Sequence, residues 1–227
     1  MARADEVLAW LERTGTQKAR DAMARYAIPA DKAVGVPVGA LKAYAKKLGR
    51  DHDLAAALWA SGIYEARMLA AFVDDPARVT AAQMDRWARQ FDSWAVCDHV
   101  CFHLFDRTPH AFAKVATWAR SKDEYVKRAA FALLWGLTVH HPRGGDDVPF
   151  VRALPLVEAA AADDRHFVKK AVNMALRAVG KRSPALNKAA VAVARRLAAS
   201  ENEHARWVGK DALRELGSYR VSSQSRL

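Results

Sequence analysis

The segment Tyr125-Val-Lys-Arg-Ala-Ala130 recurs as Phe167-Val-Lys-Lys-Ala-Val172 and as Trp207-Val-Gly-Lys-Asp-Ala212, at intervals of 42 and 40 residues. Each copy has an aromatic residue, a valine, a variable residue and then a basic residue. A period of about 40 residues is typical of two-helix HEAT-like repeats, whose helices cannot bury their apolar faces without neighbouring repeats. The recurrence therefore predicts stacked helix pairs in which equivalent positions line one surface.

The rest of the chain also has helical patterns, and no segment alternates convincingly as a strand would. We therefore expect an all-α protein, a right-handed superhelical solenoid of HEAT-like two-helix repeats. The expected single domain spans residues 1–217, and the polar residues 218–227 are expected to form a disordered tail. The expected helices span residues 5–14, 18–26, 37–48, 51–59, 64–73, 80–90, 93–105, 109–120, 123–140, 150–162, 165–180, 184–199 and 204–216.

Composition narrows the class of protein and its partners. The hydrophobic fraction of 52% is enough for a large core, and the charged N-terminus with no long apolar run favours a cytoplasmic protein without membrane segments. Residues 114–227 hold 21 Lys and Arg against 11 Asp and Glu, whereas residues 1–113 hold 15 against 14. A localised positive field favours a polyanion, first nucleic acid and then an acidic membrane or protein, although a merely solubilising surface is the alternative.

The two cysteines lie one helical turn apart on an apolar stripe. Cys97 and Cys101 are therefore expected to be buried, reduced thiols rather than parts of a disulfide framework. A zinc site needs converging ligands, but His99 and His103 point around other sides of the same helix, so no metal is expected.

The same helix carries a candidate reactive pair. Trp94 and Asp98 stand four residues apart at the margin of the apolar stripe, where a carboxylate can meet a ligand. Asp92 or Ser93 could cap the helix. A core-edge tryptophan beside a solvated acid would give the same spacing, so geometry alone leaves both interpretations open.

The basic position of the repeat predicts a row of cations. If equivalent positions line one surface, Arg128, Lys170 and Lys210 form a ladder with one cation per repeat, which suits a phosphate backbone. Each could instead pair with an acid of its own unit. The candidate acids for such pairs are Asp123, Asp164 and Glu203.

Short motifs along nearly the whole chain resemble the DNA alkylation repair family of AlkD-like HEAT-repeat proteins. The resemblance rests on their order and on their positions in the expected helices. The motifs are Met23-Ala-Arg-Tyr26, Gly35-Val36, Leu58-Trp59 followed by Glu65, Ser93-Trp94 with Asp98, Val126-Lys-Arg-Ala-Ala130, and Phe167-Val-Lys-Lys-Ala171 with Leu176-Arg177.

The resemblance implies a specific activity. In that family a curved α-solenoid holds duplex DNA in a basic groove and hydrolyses the N-glycosidic bond of cationic 3- or 7-alkylpurines without flipping the base. It implies no metal or cofactor, and alkylated double-stranded DNA as the partner. The expected solenoid shape favours a monomer. Asp98 matches the catalytic carboxylate and Trp94 the aromatic wall against the lesion sugar. Arg128 matches a phosphate contact, and Tyr26 and Arg177 match positions near the DNA backbone. Together with the ladder predicted from the repeat, the expected DNA-binding residues are Tyr26, Arg128, Lys169, Lys170, Met174, Arg177 and Lys210.

Two positions depart from the family pattern. Ser93 and Met174 stand where the relevant family member has tryptophans, which reduces the aromatic surface around a cationic base. Two alternatives to the glycosylase therefore remain: a non-catalytic DNA-binding protein of the same family and a protein-interaction solenoid.

Overall fold

The computed structural model of the protein describes residues 2–142 and 145–217, and every regular element within those ranges is a helix. The predicted all-α class is confirmed. Within the described ranges, none of the helices is both long and apolar enough to span a membrane. The described residues form two compact units that divide between Pro109 and His110. The predicted tail, residues 218–227, lies outside the described residues.

The first unit contains seven α-helices, with α5 packed against α3, α4 and α7. Short 3-10 turns, Ala24–Tyr26 and Phe105–Arg107, follow α2 and α7. The helices are α1 (Ala2–Thr14), α2 (Gln17–Met23), α3 (Val38–Leu48), α4 (His52–Ala60), α5 (Tyr64–Val73), α6 (Ala81–Ala88) and α7 (Trp94–His103).

Side-chain caps fix several of these helix starts. The Asp51 carboxylate accepts a hydrogen bond from the backbone N–H of Leu54, and the Ser93 hydroxyl accepts one from Val96. Such caps satisfy N–H groups that have no partner inside the helix. Asp51 therefore caps α4, and the structure selects Ser93 over Asp92 as the cap of α7, a choice that the sequence left open.

Several predicted helices are too long, and two of them end at a change of backbone conformation. The helix predicted for residues 18–26 ends at Met23 and continues as a 3-10 turn, which Ala27 closes with a left-handed φ of 52°. The helix predicted for residues 93–105 ends at His103, because Leu104 leaves the helical region with a φ of −134°. This change of direction lets Leu104 and Phe105 both be fully buried.

A buried carboxylate joins α5 to the loop before α3. Glu65, only 1% exposed, accepts backbone hydrogen bonds from Val34 (2.9 Å), Gly35 (2.7 Å) and Val36 (3.2 Å). Gly35 has a φ of +86°, and a Cβ there would lie 2.2 Å from the carbonyl oxygen of Thr16. Only glycine fits that approach, so the loop is held in a single conformation.

In the described part of the second unit, six helices form two stacks. The inner stack is α9, α11 and α13, and the outer stack of α8, α10 and α12 packs on it. Two copies of the recurrent segment open α9 and α11, and the third begins one turn inside α13, so the predicted repeat corresponds to this inner stack. The helices are α8 (Ala111–Trp118), α9 (Glu124–His140), α10 (Val148–Ala160), α11 (His166–Gly180), α12 (Pro184–Ala198) and α13 (Glu203–Leu216).

The Glu65 anchor gives a stability prediction. In Glu65→Gln an amide nitrogen replaces one acceptor oxygen and leaves at least one buried N–H group facing a donor, so the free energy of unfolding should fall by about 2 kcal/mol. Urea denaturation measures the change. Glu12→Gln, at an exposed position of α1, is the control and should stay within about 0.5 kcal/mol of wild type. Equal stability of the two variants would contradict the anchoring role.

Candidate functional site

Helix α7 has a buried face and a partly exposed edge. Ser93, 2% exposed, caps the helix, and the next residue, Trp94, is its first helical residue. Trp94 and Asp98 are both partly exposed, and side chains four apart on a helix are neighbours, with Cβ atoms about 6 Å apart. The residues of α7 that are buried are Ala95, Val96, Cys97, His99, Val100 and Cys101.

The structure brings Tyr26 to Trp94. The indole Nε1–H of Trp94 donates a 2.8 Å hydrogen bond to the backbone carbonyl of Tyr26, across 68 residues of chain. This contact depends on the left-handed residue Ala27, because it ends the 3-10 turn that carries Tyr26. The side chain of Tyr26 itself is 64% exposed. One edge of the indole is thus fixed, and the phenol of Tyr26 lies at the surface.

The thiols beside Asp98 are structural. Cys97 and Cys101 form no disulfide bond in the described structure and are fully buried, as the sequence predicts. Burial raises the pKa of the Cys101 thiol, and the hydrogen bond to Cys97 and the nearby negative charges of Asp98 and Asp106 raise it further. Cys101 is therefore a neutral packing residue rather than a nucleophile.

The histidine next to Asp98 is held neutral. Burial lowers the pKa of His99 to about 3, and the neighbouring His103 adds to this shift. The Nε2 atom of His99 lies 3.0 Å from the carbonyl oxygen of Met68, which can only accept, so Nε2 carries the hydrogen. His99 thus ties α7 to α5 and does not supply a charge.

In the second unit the three positions of the predicted cation ladder differ in exposure. Arg128 is 5% exposed, donates a 2.7 Å hydrogen bond to the carbonyl of Phe167 and lies over the Phe167 ring at 5.9 Å. Lys170 and Lys210 are exposed. Arg128 therefore joins α9 to the first turn of α11. Its side chain lies against the neighbouring helix instead of in solvent.

An ion-pair cluster lies beside this contact. Asp163 accepts hydrogen bonds from Arg165 (2.6 Å) and Lys127 (3.0 Å). The hydrogen bonds from Arg165, with the contribution of Lys127, lower the pKa of Asp163. Asp163 is thus the acid that neutralises Arg165 and Lys127. It was not among the acids predicted from the sequence.

Trp207 is a surface residue that the sequence analysis did not treat as a binding candidate. Its indole is 37% exposed, and the ammonium groups of Lys169 and Lys170 lie 5.4 and 5.1 Å from its ring centroid. Lys169 also lies 3.4 Å from Nδ1 of His204. The repeat contained the signal for Trp207, since it occupies the aromatic position of the third copy.

Met174 and Arg177, the remaining predicted residues, line one depression between α9 and α11. Arg177 forms an ion pair with Glu215 of α13, which also pairs with Lys181. Trp135 of α9 lines the same depression. The described geometry thus divides the predicted residues between the edge of α7 in the first unit and the inner stack of the second.

Comparison with known proteins identifies the family. A family described as DNA alkylation repair enzyme matches residues 7–216. The chain belongs to the DNA alkylation repair enzyme family. This confirms the family that the short motifs predict. Among curated proteins, none matched the sequence.

One solved structure confirms the fold of this DNA alkylation repair family member. One similar structure is described as "a new family of proteins related to the HEAT-like repeat DNA glycosylases with affinity for branched DNA structures". It has a TM-score of 0.75 and 23% identity over 96% of this chain and 97% of the other. A designed armadillo repeat protein has a TM-score of only 0.33 and 14% identity, over 79% of this chain and 92% of its own. The predicted class of HEAT-like two-helix repeats is therefore confirmed.

The neutral His99 gives a pH prediction. Its pKa is about 3 in the folded state and about 6.5 when unfolded, so protonation favours the unfolded state. Its stabilising contribution is complete above about pH 6.5 and decreases by about 1.4 kcal/mol per pH unit below it. Urea denaturation at several pH values should show this slope in wild type and lose it in His99→Gln. The exposed control His166→Gln should keep it; equal slopes in wild type and His99→Gln would contradict the assignment.

Proposed function

We propose that this protein binds DNA and hydrolyses the N-glycosidic bond of cationic alkylated purines, such as 3-methyladenine and 7-methylguanine, in the duplex. The observation that supports this most is the pair on α7. Trp94 is fixed through its Nε1–H to the Tyr26 carbonyl, and Asp98 lies one turn away on the same partly exposed edge. A carboxylate beside an oriented aromatic ring suits a reaction that develops positive charge on a sugar.

The chemistry requires an anion and a water molecule. The bond from C1′ of the sugar to the purine breaks with its electron pair going to the positively charged base, which leaves as a neutral alkylpurine. The sugar acquires oxocarbenium character, which the Asp98 carboxylate stabilises electrostatically. Water then adds to C1′ and loses its proton to Asp98, which returns it to solvent. The lesion's own charge makes the base a good leaving group.

Trp94 acts by position rather than by bond making. Its indole offers a flat, polarizable face to the C–H groups of the sugar and limits the access of water to the reacting carbon. The hydrogen bond to Tyr26 keeps that face from rotating away. The exposed phenol of Tyr26 is then available to the DNA backbone.

The second unit contributes cations for the phosphate backbone. Lys170 is exposed near the start of α11 and Lys210 in the middle of α13, and Lys170 lies beside the indole of Trp207. Cations interleaved with aromatic rings are a frequent arrangement in nucleic-acid-binding surfaces. Arg128 supports this surface from inside by holding α9 to α11, and its buried position gives it a smaller share of direct phosphate contact.

A second candidate function is DNA binding without turnover. Ser93 is buried and its hydroxyl caps α7, so it offers no surface to a ligand, and Met174 supplies a thioether in place of an aromatic face. The similar structure named above, at 23% identity, is described as having affinity for branched DNA. This alternative shares the cationic surface with the first and differs only in the fate of the bound lesion.

The two candidates differ in the outcome of Asp98→Asn. The glycosylase predicts release of free alkylpurine from methylated duplex DNA, and the variant should lower that rate by at least about 100-fold, because the carboxylate charge is lost. DNA affinity should stay equal or rise, since one negative charge leaves the surface. Chromatography of the released bases and fluorescence anisotropy measure the two quantities. The exposed control Asp53→Asn should release base as wild type does. Tight binding by wild type with no release would establish the binding-only alternative.

The phosphate contacts predict a salt effect. Lys170→Ala and Lys210→Ala should each weaken binding to damaged and undamaged duplexes alike and lower the slope of log affinity against log salt by about one, because one counterion fewer is released. Anisotropy titrations over a range of salt concentrations measure this slope. Lys188→Ala, an exposed position on the outer helix α12, is the matched control and should keep the wild-type slope. Unchanged slopes in both test variants would remove these lysines from the interface.

A further inference from the structure

The depression between α9 and α11 is lined by residues other than the α7 pair on which the proposed hydrolysis rests. Its volume is about 290 Å³, and the indole of Trp135 and the thioether of Met174 line it. Both side chains are partly exposed. An aromatic plane with a polarizable thioether nearby is suited to one flat, unsaturated ring.

The rim of this depression is cationic. Arg177, Lys181 and Arg182 all line it, and Glu215 is the acid among its lining residues. Glu215 pairs with both Arg177 and Lys181. The Nε atom of Arg177 is buried and has no hydrogen-bond partner, so a donor in this wall is unsatisfied. A bound anion would interact with Arg177 and Lys181, which are now both paired with the one carboxylate of Glu215.

One wall of the depression is held rigidly. Arg182 donates to the carbonyls of Thr138 (3.0 Å) and His141 (3.1 Å), at and just beyond the last turn of α9, and its guanidinium lies 4.5 Å from the centre of the Phe150 ring. These two hydrogen bonds therefore fix the end of α9 relative to Arg182. Trp135 lies one turn before Thr138, so its backbone is fixed as well. The depression is thus largely formed before a ligand binds.

These features together select a ligand class. A free phosphate would not need the indole, and a neutral apolar ligand would not need the basic rim. A volume of about 290 Å³ is at the lower end of small-ligand sites, about 300 Å³, which suits a single nucleotide better than stacked bases. A base with its phosphate satisfies both the apolar walls and the cations.

We propose that this depression binds one unpaired nucleotide of the bound DNA, with the base against Trp135 and Met174 and its phosphate beside Arg177 and Lys181. The proposal rests on the proposed DNA binding, not on hydrolysis at Asp98. Paired bases cannot enter, because their faces are stacked within the duplex. DNA with a bulged or unpaired nucleotide is therefore the preferred ligand class. Glu215 partly neutralises Arg177 and Lys181 until the phosphate displaces it.

The test compares three short duplexes that differ at one position. One has a single unpaired adenosine, one has an abasic residue at the same bulge, and one is fully paired. Wild type should bind the adenosine bulge about tenfold more tightly than the abasic bulge, because only the former supplies a base for stacking. In Trp135→Leu this ratio should fall to about one, and in Trp135→Phe it should be largely retained. Fluorescence anisotropy gives each dissociation constant.

Glu215→Gln provides a second variant that leaves the apolar walls intact. It should strengthen binding to both bulged duplexes by the same factor and leave their ratio as in wild type, because it frees cations without changing stacking. A wild-type ratio of one, or an undiminished ratio in folded Trp135→Leu, overturns the proposal. A preference for the adenosine bulge without alkylpurine release supports the nucleotide site and overturns only the glycosylase. Alkylpurine release and duplex binding together with a wild-type ratio of one support the glycosylase and overturn the nucleotide site.

Discussion

The inner helices of the second unit depend on one another for burial. Helix α9 is buried on most of its circumference, with Ala129 through Leu134 at 0% exposure, so it cannot be stable in water alone. Helices α8 and α11 both pack against it. A repeat of this kind buries its apolar faces only when its neighbours are present, so the burial of the inner helices depends on the stacking.

The basic residues of the stacked helices are of two kinds, those at contacts between helices and those exposed to solvent. Arginines at helix contacts are used structurally, as Arg128 is on the Phe167 carbonyl and Arg182 on the end of α9, since a planar guanidinium can satisfy several fixed acceptors. Lysines at the repeat starts, Lys170 and Lys210, stay in solvent. The positive charge of this half of the chain is therefore partly internal, and its exposed part is what a polyanion would meet.

Local sequence was sufficient where local physics decides the outcome. The apolar spacing of α7 put Val96 and Val100 in the core and Trp94 and Asp98 at its margin, because helical periodicity alone sets those directions. The period of about 40 residues located the inner helices, and the order of the short motifs identified the family. Several helix ends were predicted within two residues, since capping residues such as Thr80 act on their own first turn.

The sequence thus determined the helical class, the repeat, the family and the composition of α7. Tertiary structure alone decided which partners those residues meet. The bond from Trp94 to the Tyr26 carbonyl spans 68 residues and depends on a left-handed turn at Ala27, which no periodicity encodes. The burial of Arg128 depends on the helix that covers it, and the depression at Trp135 forms only where two repeats meet. Contacts between distant segments arise from packing, and packing is a property of the whole stack rather than of any one segment.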